Sequence, residues 1–140
     1  MININEYLLG KNKEKKFNGK NPIEKPKFPC DPEDVTKWIE GFGIDNWDED
    51  HKWPDQMEIG EIGWHVETSR WGKISIWFNN KYGEIAERYV RICPKTQESV
   101  LSHGYMSKDI HLSFDEALDF VEAIINNPKE YIDPKTVIKN

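Results

Sequence analysis

Between Ile62 and Ile92 the apolar residues fall on even positions, and that alternation constrains the fold more than any other feature of this chain. Ile62, Trp64 and Val66, then Ile74, Ile76 and Phe78, then Ala86, Val90 and Ile92 keep the period of two that gathers side chains on one face of a β-strand. The two connections must have odd lengths if the three strands are to bury the same face. Three-residue loops, Ser69-Arg70-Trp71 and Lys81-Tyr82-Gly83, satisfy this, and Gly83 suits the left-handed position such a hairpin requires. The spacing predicts Val66 opposite Ile74, Trp64 opposite Ile76 and Ile62 opposite Phe78, followed by Ile74 opposite Val90 and Phe78 opposite Ala86. A slip of one residue would turn every one of these groups outward.

The odd positions then form a second face carrying His65, Glu67, Lys73, Ser75, Trp77, Glu87, Tyr89 and Arg91. In that register His65, Ser75 and Tyr89 share one row, and Glu67, Lys73 and Arg91 the next. Gly63 lies opposite Trp77 and leaves space for its indole. Large aromatics among polar groups suit a binding surface on a sheet. Arg88 is discordant, because its even position faces it to the apolar side opposite Ile76, where an unpaired guanidinium is costly. It requires a route to the sheet edge, an acid such as Glu40 or Asp119, or a bulge after Ala86.

Two segments read as amphipathic helices. Asp31-Pro32-Glu33-Asp34 supplies an N-cap, a proline at the first helical position and acids at the positive end of the dipole. Val35, Trp38, Ile39 and Phe42 follow on one stripe, which Gly41 and Gly43 terminate. Ser113 to Glu116 is a capping box ahead of a second stripe, Phe114, Ala117, Leu118, Val121, Ile124 and Ile125, which Asn127-Pro128 stops. One more helical turn is expected over Pro128 to Ile132, with Asp133-Pro134 as a break, and Glu98 to Tyr105 is expected to return as a fourth strand. The predicted class is α+β: an antiparallel β-meander of about four strands with two amphipathic helices packed on one face.

Charge divides the chain. Seven lysines against three glutamates give residues 1–30 a net charge of +4, whereas twelve basic against 22 acidic side chains give residues 31–140 a net charge of −10. The expected organisation is a basic extended N-terminal arm, 1–30, and a single α+β domain, 31–140. No run approaches the roughly 18 apolar residues of a membrane span, and the first residues lack the order of a signal peptide. Cys30 and Cys93 form no CxxC pattern, so a cytoplasmic protein with free thiols is expected, with a single disulfide as the alternative.

Four kinds of function are compatible with a folded acidic domain of this size. Asp45, Asp48, Asp50 and His51 offer metal ligands without the EF-hand spacing, and His103 and His111 are too far apart for a helical pair, so no metal or cofactor is expected. His65, Ser75 and Glu67 have the residue types of a base, a nucleophile and an orienting acid, but no nucleophile elbow accompanies them, and an enzyme is not expected. Trp77 and Tyr89 beside Arg91 and Lys73 could stack on bases, yet the acidic body disfavours direct nucleic-acid binding.

Protein recognition fits best. From Asp31 to Glu61 eleven acids stand against Lys37 and Lys52, a net charge of −9, and this stretch includes Trp47, Asp48, Glu49, Asp50, Trp53 and Asp55. Aromatic anchors in a dense negative field can steer and hold a basic partner. The expectation is a non-enzymatic inhibitor of a basic protein such as a nuclease or other nucleic-acid enzyme, using those six residues together with His65, Glu67, Lys73, Trp77, Tyr89 and Arg91. Bacterial toxin-immunity and phage anti-defence proteins are often small acidic α+β domains, an analogy of type. The alternative is a domain that sequesters an anionic, nucleotide-like molecule on the same sheet face. Homodimerisation through the sheet face or the arm stays open.

Overall fold

The structure, a computed structural model, describes residues 21–47, 52, 56–67, 72–80, 87–102, 109–130 and 132–137. Among these residues six strands form one sheet: β1 (Asp45–Asn46), β2 (Ile62–Val66), β3 (Ile74–Asn79), β4 (Glu87–Ile92), β5 (Ser99–Ser102) and β6 (Ile110–Leu112). They lie in chain order, β1 parallel to β2 and every other pair antiparallel. The α+β meander is therefore present, with two more strands than the sequence pattern indicates. Those two, β1 and β6, span only two and three residues, too few to carry an alternation.

Helix α1 (Pro32–Phe42) begins at Asp31, whose backbone N–H donates to the Asp34 carboxylate at 3.2 Å. It runs through Gly41 and closes on Gly43, which adopts the left-handed φ of 80° that a side chain would resist. Helix α2 (Phe114–Asn126) has the expected reciprocal cap, with Glu116 N–H donating to Ser113 Oγ at 3.1 Å and Ser113 N–H donating to Glu116 Oε1 at 2.9 Å. A short α3 (Pro134–Val137) starts where a break was expected. Asp133 turns that proline into an opening, because its carboxylate accepts from Lys135 N–H at 3.0 Å.

The even positions of β2 to β4 face the core as parity requires. Trp64, Ile74, Ile76, Phe78, Val90 and Ile92 pack in one cluster with Trp38, Ile39 and Phe42 of α1 and with Leu118, Phe120 and Val121 of α2. The β2–β3 register is the expected one: Ile62 with Phe78, Trp64 with Ile76, Val66 with Ile74, and Gly63 opposite Trp77. The β3–β4 register differs from expectation by two residues, pairing Ile74 with Ile92, Ile76 with Val90 and Phe78 with Arg88. A shift of two preserves parity and buries the same face, so the apolar pattern cannot distinguish the registers. The last pair described toward this turn is Asn79 with Glu87. Residues 81–86, including Ala86, and the Ser69-Arg70-Trp71 loop lie outside the described residues.

Arg88 keeps its place on the core side without a bulge. It is buried, and its guanidinium donates to the backbone carbonyl of Ile132 at 3.0 Å, which ties the segment before α3 to β4. A carbonyl acceptor was not among the expected solutions.

Residues 21–30 run without helix or strand over the two long helices. The Asn21 side-chain amide donates to the Trp38 carbonyl at 2.7 Å, Lys25 reaches Asp119 at 2.8 Å and Glu122 at 3.3 Å, and Phe28 lies against Phe114. Burial lowers the Lys25 pKa, but the hydrogen bonds and charges of Asp119 and Glu122 outweigh it and leave the ammonium above its usual range. This last third of the basic segment straps α1 to α2. Residues 1–20 lie outside the described residues.

Candidate functional site

Among the described residues the helices pack on the even face of the sheet, and the odd, outer face is where sequence-nominated side chains converge. His65 and Glu67 come from β2 and the residue after it, Lys73 and Trp77 from the residue before β3 and its middle, and Tyr89 and Arg91 from β4. All six are half-buried. The corrected β3–β4 register rearranges their rows. Tyr89 shares a row with Trp77, Gly63 and Ser102, whereas Arg91 shares one with His65 and Ser75. Lys73 remains opposite Glu67, whose N–H donates to the Lys73 carbonyl at 2.7 Å.

The aromatic groups form a ladder across three strands. His65 stacks on Trp77 with ring centroids 4.5 Å apart and planes 30° apart, and Tyr89 lies 4.9 Å from the same indole at 38°. Because β2 and β4 flank β3 on opposite sides, both faces of the Trp77 indole are taken by neighbouring rings. The ladder therefore offers edges outward, and its π faces hold the side chains to one another.

Beneath the ladder is Ser75, fully buried, with its hydroxyl 3.1 Å from Glu67 Oε1 and 3.2 Å from the Tyr89 hydroxyl. Burial pushes the Tyr89 phenol up, partly countered by the Ser75 hydrogen bond and by Arg91, while the Glu67 charge adds to the rise. A serine so enclosed and so engaged organises the face and is not presented as a nucleophile. Cys93 is buried at the same end. Its thiol is also raised by burial, against the lowering effect of a Thr96 hydrogen bond and the charges of Arg91 and Lys73. Cys30 and Cys93 are both free thiols.

Trp47 occupies a place that sequence reasoning did not foresee. Its N–H donates to the Trp64 carbonyl at 2.7 Å as an extension of β1, and its indole covers Gly63 so closely that a Cβ there would collide with the ring. The space above Gly63 is thus filled by Trp47, which is only 4% exposed, and not reserved for Trp77. Trp47 belongs to the packing of the outer face. Asp48, Glu49, Asp50, Trp53 and Asp55 lie outside the described residues, as do His51 and His103.

Near Trp47 the described acids gather around one lysine. Lys52 Nζ binds both carboxylate oxygens of Glu61, at 2.8 and 2.9 Å, and feels the charges of Asp45 and Glu58. Among the described residues no group of three or more His, Cys, Asp or Glu side chains is arranged to hold a metal ion, and no helix is long and apolar enough to cross a membrane. Comparison with protein-family models, with curated proteins and with solved structures finds no match.

Proposed function

We propose that this chain is a non-enzymatic binding protein that occupies a basic protein partner, such as a nuclease or another nucleic-acid enzyme, and thereby blocks it. The observation that carries this reading is the His65–Trp77–Tyr89 ladder on the sheet face opposite the described helices, in an acidic domain. Rings already stacked on each other lose little side-chain freedom when a partner arrives, which lowers the cost of binding. Trp, Tyr and Arg are also the residues on which interface energy concentrates. Sequestration of a nucleotide-like ligand draws less support, because base stacking needs a free ring face and both faces of Trp77 are occupied. The net charge of −10 on residues 31–140 favours encounter with a basic surface and repels phosphate.

The partner reading is tested by capture from lysate of the native host or its phage on immobilised wild-type protein, with Trp77→Ala as the control bait. Expected is recovery of a basic protein whose retention weakens with salt and whose recovery falls sharply on the Trp77→Ala bait. Equal recovery on both baits, or a tightly bound small molecule with no protein, would overturn the proposal.

A further inference from the structure

The outer face carries its charge unevenly along the diagonal that crosses the ladder. At the β1–β2 corner the Lys52 ammonium is bound by the Glu61 carboxylate and feels the charges of Asp45 and Glu58. Asp45 is placed on this face by its pairing with Gly63, and both Asp45 and Glu58 are exposed. At the opposite corner Lys73 and Arg91 lie one row apart on adjacent strands, with the Glu67 carboxylate drawn toward Ser75. The Arg91 Nε is buried and has no hydrogen-bond partner among the described residues. Strand rise and spacing put the two corners roughly 15 Å apart, with the ladder between them.

From this arrangement we infer that the outer face pairs with the outer face of a second copy of this chain. A two-fold axis in the plane of the interface, perpendicular to the line joining the corners, lays each acidic corner over the partner copy's Lys73–Arg91 corner. The two ladders meet at the centre. Such an isologous contact repeats each favourable charge pair twice. The face measures roughly 15–25 Å by 17–20 Å from strand spacing and rise, a footprint of about 250–500 Å². This lies below the roughly 800 Å² per partner of a standard stable interface, so the dimer is weak and salt-sensitive. The inference does not depend on the proposed basic partner, which would compete for the same face.

Sedimentation equilibrium of the full chain tests it with two double variants. Lys73→Glu/Arg91→Glu makes both corners acidic, and Asp45→Lys/Glu58→Lys makes both basic. Wild type is expected to self-associate at low salt and dissociate at high salt. Each variant alone is expected to be monomeric, and an equimolar mixture of the two to recover the dimer, which also shows that both are folded. A monomeric wild type, variants that dimerise as wild type does, or a mixture that stays monomeric would overturn the inference. Capture of a basic partner is read separately and survives any of these results.

Discussion

The two faces of one sheet solve different problems with similar residues. On the even face Trp64 is buried among aliphatic and aromatic side chains from both long helices, and its indole N–H is satisfied by the Ile44 carbonyl at 3.3 Å. On the odd face Trp77 is held between an imidazole and a phenol at an incompletely covered surface. The first tryptophan derives its stability from burial against the helices; the second derives its order from ring contacts within the sheet. Aromatic content alone does not separate core from surface, whereas the partners of each ring do.

The comparison breaks most visibly by truncating each indole. Trp64→Ala should cost about 3–5 kcal/mol of unfolding free energy, as large core deletions do. Trp77→Ala should cost about 1–2 kcal/mol, from the loss of two ring contacts. Urea denaturation of the two variants checks this, and similar losses would mean that the outer face is a second core.

Gly63→Ala probes the boundary between the faces. The added methyl meets the Trp47 indole, and overpacking of this kind costs about 1–3 kcal/mol. Tryptophan emission should become more accessible to iodide, and that increase should vanish in a Trp47→Phe background.

Arg88→Met tests the charged group that, among the described residues, is buried on the core face. Loss of the hydrogen bond to the Ile132 carbonyl should destabilise by about 1–2 kcal/mol. Faster amide exchange should be confined to residues 132–137 and β4.

The smallest effect concerns Tyr89. Burial raises its phenol above the ordinary value of 10.0, so folding favours the neutral form. Its contribution is therefore complete below the unfolded pKa and is lost as pH rises through the folded one. Ultraviolet titration should show one phenol ionising late, and Tyr89→Phe should remove that component and flatten the alkaline decline in stability.

Much of this division is legible in the sequence, for a physical reason. Parity follows from burial, and the alternation through Ile62, Ile74 and Val90 fixes which side of each strand is wet. Register is less constrained: a two-residue shift at β3–β4 leaves the same groups buried, so the rows of Tyr89 and Arg91 could not be read from pattern. The positions of β1 and Trp47 were hidden because Asp45-Asn46 has no apolar signature and because Gly63 shows only that space exists, not which side chain enters it. Arg88 was recognisable as a conflict, but its acceptor is a backbone carbonyl, to which residue identity gives no clue.

The central claim is that the ladder face recognises a partner while the opposite face holds the fold. Calorimetric titration of the captured basic partner into wild type and Trp77→Ala, alongside thermal unfolding of both, tests it most directly. A loss of affinity of about 30-fold or more, the size of a hot-spot effect near 2 kcal/mol, with the variant still cooperatively folded, is the predicted result. Unchanged affinity in the folded variant would contradict the account.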